Sequence, residues 1–175
     1  MAAGLVCRSV AIASLVWVTL GGASLVHAQG KSGPMSVDAC GVATGEELEA
    51  ALGKRVRPAA IPASSPASIG VSLCMWATVD GRRTLSVSTY GPEAVKRTIT
   101  KDLPTYYESL KTSNANLARR PAILFPGVAR KASYFVSPRD KGDVILILRQ
   151  DCVVNINASG LTQEEAQKVA AAAGH

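Results

Sequence analysis

The chain has 175 residues, 47% of them hydrophobic, with 19 Lys or Arg against 13 Asp or Glu and a formal net charge of +6. That length is one domain's worth and can bury a real core without metal or cofactor. Its only histidines are His27 and His175, so catalysis by a histidine base has almost nothing to work with.

Positions 1 to 28 have the three parts of a secretory signal. Arg8 is the sole charge, the apolar run Val10 to Leu20 follows, and Gly21-Gly22 ends it. Small residues at Val26 and Ala28 predict cleavage after Ala28. A membrane span would need about 20 strongly apolar residues, and this run is shorter and glycine-broken. Cys7 precedes the apolar run, whereas a lipid-anchor cysteine follows it. The expectation is an exported protein, periplasmic or extracellular, without a membrane anchor after cleavage. Residues 29 to 37 read as a flexible polar leader, and residues 38 to 175 as one domain.

The first helix is signed by a Thr-x-x-Glu capping box at Thr44 and Glu47, with Leu48, Ala51 and Leu52 on one face and Gly53 as its C-terminal cap. Residues 57 to 68 carry Pro58, Pro62 and Pro66 and are expected to form a loop. Val71 to Val79 alternates with period two, apolar at odd positions and Ser72, Cys74, Trp76 and Thr78 at even ones. The odd face is expected to meet the main core. Trp76 asks for cover on the even face as well, which the first helix can supply. Asp80-Gly81 turns the chain into a second strand, Thr84 to Tyr90.

Gly91-Pro92 then opens a helix, along which Val95, Ile99, Leu103, Tyr106 and Leu110 form an apolar stripe. Pro104 within it predicts a kink or two shorter helices. After the turn at Phe125-Pro126-Gly127 come three strand-like runs, Ala132 to Ser137, Val144 to Arg149 and Cys152 to Asn157. Val144 to Leu148 is apolar on both faces and so is expected to be central in a sheet. Thr162 with Glu165 starts a final helix. The fold class is therefore α+β, an antiparallel sheet of about five strands with helices packed on it, in the order α-ββ-α-βββ-α.

Three cysteines follow the signal: Cys40, Cys74 and Cys152. An oxidising compartment predicts one disulfide and one leftover thiol, and spacing alone leaves the pairing open. The run Asp38-Ala39-Cys40-Gly-Val42-Ala43-Thr44-Gly-Glu46-Glu47-Leu48, then Leu52-Gly53, then Cys74-x-Trp76, resembles the opening of domain-of-unknown-function family 3558, bacterial secreted proteins and lipoproteins. Gly81, Leu85, Val87 and Pro126-Gly127-Val128 leading to Ala132 and Tyr134 extend the resemblance over roughly positions 38 to 157. Ala39 stands where the family has proline, Val42-Ala43 replaces a leucine pair, and Cys152 has no counterpart. The resemblance implies a Cys40–Cys74 disulfide and a secreted member, and implies no activity.

Chemistry is sparse. There is no Ser-x-x-Lys, Gly-x-Ser-x-Gly, Cys-x-x-Cys or phosphate-loop motif, so no catalytic, cofactor-binding or metal-binding residue is expected. Glu46, Glu47 and Glu49 crowd one short helix. A carboxylate-dependent hydrolase is the alternative they offer, against the plainer reading of a cap with dipole-favoured neighbours. Asn157-Ala-Ser159 is a short, common glycosylation triplet. Cys152 as a redox thiol lacks polarising neighbours. The basic residues come in pairs, Arg55 and Arg57 beside Lys54, Arg82-Arg83, Arg119-Arg120 and Arg130-Lys131, and are candidate anion-binding residues. No aromatics are interleaved with them as a nucleic-acid surface would need, so nucleic acid is disfavoured. The expected function is a non-enzymatic exported domain that binds a protein or an anionic envelope component.

Overall fold

A computed structural model describes residues 37–61, 69–137 and 142–175. The signal segment, nearly all of the leader, and Pro62 and Pro66 lie outside the described residues. Among the described residues five helices and seven strands follow one another: α1 (Ala39–Val42), α2 (Gly45–Leu52), β1 (Val56–Pro58), β2 (Val71–Thr78), β3 (Thr84–Tyr90), α3 (Pro92–Lys96), α4 (Leu103–Ala118), β4 (Ile123–Leu124), β5 (Lys131–Phe135), β6 (Asp143–Leu148), β7 (Val153–Ala158) and α5 (Gln163–Ala173).

Local chemistry explains most of these boundaries. Both expected capping boxes form: Thr44 with Glu47 opens α2, and Thr162 with Glu165 opens α5. Each pair satisfies backbone N–H groups that the first helical turn leaves without partners. Gly53 ends α2 in the left-handed conformation, φ 62°, which costs a residue without Cβ little. The β2–β3 turn closes around Asp80, whose carboxylate accepts from the Thr78 hydroxyl and from the Arg82 amide, and around Gly81 at φ 69°.

The strands form one antiparallel sheet in the order β1-β2-β3-β7-β6-β5-β4. The α+β class holds, with seven strands rather than five. The two extra strands, β1 and β4, have three and two residues, too few for a period-two pattern to register. Part of the expected proline loop is thus strand β1. The hairpin β2–β3 and the meander β5–β6–β7 pair as neighbours in sequence do, and β3 against β7 joins the two units.

Helices α1, α2 and α5 cover one face of the sheet over a core that includes Leu48, Val87, Ile145, Ile147, Ile156 and Val169. Helices α3 and α4 cover the other over Val95, Tyr107, Leu146, Leu148 and Val153. As expected, β6 is buried on both faces. Tyr107 reaches through the second layer to the buried Ser133 hydroxyl, 2.6 Å away. Buried Asp143 accepts from the Leu161 and Ser137 amides, and the Tyr134 hydroxyl donates to the Leu161 carbonyl, so the turn before α5 is tied to β5 and β6.

Two expectations are corrected. The main core takes the even side of β2, not the odd. Cys74 and Trp76 pair across to Val87 and Leu85 and face α1 and α2. A Cβ on Gly45 would stand 3.1 Å from the Trp76 ring, so α2 lies close over this face. Leu73, Met75 and Ala77 point to the α4 side, half-buried, because a helix about 10 Å wide spans only two or three strands and α4 sits over β6. The second correction concerns the stripe through Ile99. The helix breaks upstream of Pro104, at Arg97 to Asp102; Asp102 caps α4, and Pro104 sits harmlessly in its first turn. Ile99 falls in the break and is 96% exposed.

Candidate functional site

Cys40 and Cys74 form a disulfide, with Cα atoms 5.1 Å apart. The Ala39 amide donates to the Ser72 hydroxyl at 3.1 Å, and the Thr89 hydroxyl donates to the Val37 carbonyl. The entry to the domain is therefore stitched to β2 and β3, and the bond is compatible with an oxidising compartment. None of the helices in the described residues is long and apolar enough to cross a membrane. Cys152 is free and wholly buried in the larger core. Burial, reinforced by the Asp151 carboxylate, pushes its thiol up to about 12. Thiolate is the reactive form, so the native protein at pH 8 should leave Cys152 unmodified by an aromatic disulfide reagent over the time in which the denatured protein reacts fully. Rapid stoichiometric labelling of native protein would contradict this placement.

The glutamates of α2 do not converge. Glu47 closes the capping box, accepting from the Thr44 amide at 2.9 Å and from its hydroxyl at 2.8 Å. These bonds hold its carboxyl below the usual range, the opposite of what a general acid requires. Glu49 accepts from the Val56 amide at 2.9 Å, and Glu46 is exposed. Each carboxylate thus has a separate structural setting, and no facing acid–base pair forms among them. Asn157 of the glycosylation triplet lies within β7, hydrogen-bonded between β3 and β6.

A surface hollow of about 540 Å³ is lined by Ala129, Arg130, Arg149, Gln150, Asp151, Gly174 and His175. Arg149 is already committed there, to Asp151 at 3.2 Å and to the Ala173 carbonyl at 3.4 Å. The lining has no hydroxyl or thiol nucleophile, and the Asp151 carboxylate offsets the cations. Among the described residues no three of His, Cys, Asp and Glu come together as metal ligands.

The candidate anion-binding residues separate into two groups on opposite edges of the sheet. Arg55, Arg57, Arg82 and Arg83 gather at the β1 edge, because β1 and the β2–β3 turn are adjacent: the Val79 amide donates to the Arg55 carbonyl and the Thr78 amide to the Arg83 carbonyl. Arg119, Arg120, Arg130 and Lys131 belong to the β4–β5 edge, six strand spacings away or roughly 25–30 Å. Within each group some cations are spoken for. Lys54 pairs with Asp80 at 3.3 Å, Arg83 with Glu165 at 2.9 Å and Lys131 with Glu108 at 2.6 Å. Arg55, Arg57 and Arg82 are exposed and make no ion pair among the described residues, as do Arg119, Arg120 and Arg130 on the far edge. Arg57 follows Val56, which pairs with Thr78, so its side chain leaves β1 on the face away from α2, and Arg55 stands immediately before the strand. Doublets in the sequence marked these cations, but which of them keep a carboxylate partner depends on contacts between distant segments.

No protein-family model, curated protein or solved structure matches this chain.

Proposed function

We propose that this chain is an exported, non-enzymatic binding domain, periplasmic or extracellular, whose β1 edge engages an anionic envelope polymer or an acidic envelope protein. The observation that carries this reading is the set Arg55, Arg57 and Arg82, three exposed cations brought to one edge while their neighbours Lys54 and Arg83 are neutralised. Unpaired guanidinium groups offer planar, bidentate donors to carboxylate or phosphate. The rigid hairpin beneath them lowers the ordering cost of binding. We propose kinship with domain-of-unknown-function family 3558 as well, on the Asp38-to-Trp76 pattern, and the Cys40–Cys74 bond supports it.

The test is capture from native envelope extract by the exported chain, washed at low and then at raised salt. A retained component should elute as salt rises, since exposed charge contacts are screened. The triple variant Arg55→Gln/Arg57→Gln/Arg82→Gln should retain about tenfold less, an order set by losing several exposed charge contacts together. A partner held equally by the variant and at high salt would overturn the β1-edge reading and point to an apolar interface instead.

A further inference from the structure

We propose that the α3–α4 connection is an interfacial contact surface for an anionic lipid membrane, with Ile99 as the side chain that enters the lipid and the half-exposed Ile69, near the start of α3, as a secondary apolar contact. Ile99 is 96% exposed and Ile69 49% exposed. Ile69 lies just before β2, next to the start of α3, and Ile99 lies in the turn that follows α3. The Gly91 amide donates to the Gly70 carbonyl at 2.8 Å, and a Cβ on Gly70 would stand 2.6 Å from the Ala94 nitrogen. Gly70 thus lets the start of β2 close onto α3 and sets Ile69 beside that helix, which leads directly into the Ile99 turn.

The turn holds Ile99 outward. The Thr98 hydroxyl donates to the Val95 carbonyl at 2.7 Å and shares a 2.7 Å hydrogen bond with the Thr100 hydroxyl, bracketing Ile99 on both sides. The Asp102 amide returns to the Thr100 carbonyl at 2.9 Å, and Lys101 takes the left-handed conformation at φ 63°. An isoleucine fixed this way is held off the core, and none of the described residues covers it, so contact with an apolar medium would relieve its hydration.

Cations surround it. Lys96, Arg97 and Lys101 are all exposed. Of the nearby acids, Glu93 pairs with Lys96 at 2.8 Å, and Asp102 is engaged in capping α4 through the Thr105 amide at 2.8 Å. Arg97 and Lys101 are left to face outward, the Lys101 ammonium bonding only to the Lys96 carbonyl among the described residues. Isolated exposed isoleucines among long cationic side chains suit a lipid interface, which needs no shape complement. Apolar tips enter the acyl boundary while Lys and Arg reach the headgroups. A protein partner would instead need a concave match and a larger continuous area. The contact is reversible, since so few apolar groups give weak membrane affinity. It lies at the far end of β2 from Arg55 and Arg82, so it stands or falls separately from the β1 edge.

The test is sedimentation of the exported chain with phosphatidylcholine vesicles, with and without about one-third phosphatidylglycerol. The protein should partition onto the anionic vesicles and less onto the neutral ones, with binding weakened by salt. Ile69→Ser/Ile99→Ser should lose about tenfold in partitioning, or more, as expected for removing the inserted apolar groups. Because Ile99 is almost fully exposed, the single variant Ile99→Ser should keep the wild-type melting temperature while still losing most of the partitioning. The triple arginine variant of the β1 edge should bind the vesicles as wild type does. Absence of binding, equal binding to neutral vesicles, or undiminished binding by either isoleucine variant would each overturn the proposal.

Discussion

Cys74→Ala is expected to lower the stability of the folded domain by about 3–4 kcal/mol, or roughly 10 °C in melting temperature for a domain of this size. Cys40 and Cys74 are 34 residues apart, and the bond restricts a loop of that length in the unfolded chain. The native state also suffers. Without the bond, α1 is held to the sheet by the Ala39–Ser72 and Thr89–Val37 hydrogen bonds and by the packing of Ala39, Val42 and Ala43. Reductant added to wild type should produce the same shift, and reductant added to Cys74→Ala should produce none. Thermal unfolding of the two proteins with and without reductant measures this directly. A fall below about 1 kcal/mol would mean that local packing alone secures the domain's entry and that the unfolded chain is already compact there.

Leu146→Ala and Ile147→Ala should each cost about 3 kcal/mol. The two residues are adjacent and both fully buried, yet they project into different layers, Leu146 beneath α4 and Ile147 beneath the α1–α2–α5 side. In an amphipathic strand one of such a pair would face solvent and its truncation would be nearly free. Here both faces are helix-covered, so each truncation opens a cavity in a close-packed layer. Urea unfolding of the two variants is the measurement. Near-equal losses are the expected result, and a loss below about 1 kcal/mol for Leu146→Ala would show that α4 does not seal its face of β6.

The parts of the fold legible in the sequence are those whose signal lies within a few residues. Thr44 and Glu47, or Thr162 and Glu165, satisfy each other three positions apart, and the Asp80-Gly81 turn is closed by the Asp80 carboxylate on residues two positions away. The two-faced burial of Val144 to Leu148 was legible for a related reason, since a strand apolar at every position has only one stable place, inside. Strands β1 and β4 were not legible, because two or three residues become a strand only through the partner they meet. The stripe through Ile99 misled because helical spacing is necessary for an apolar face but not sufficient; α3 ends at Lys96 and Asp102 caps a new helix, so Ile99 falls in the break between them.

The candidate surfaces divide the same way. The α+β class, the helix caps, the hairpin, the central strand and the doubled cations can all be read from the residues alone, because each acts on near neighbours or on water. Which face of β2 is core depends instead on distant contacts, the disulfide to α1 and the seat of Gly45 on Trp76. Which cations remain unpaired depends on such contacts too, through Lys54 with Asp80 and Arg83 with Glu165, the second pair 82 residues apart. A charge's availability is set by what stands within about 4 Å of it. Those distances come into being only when sheet order brings remote segments together.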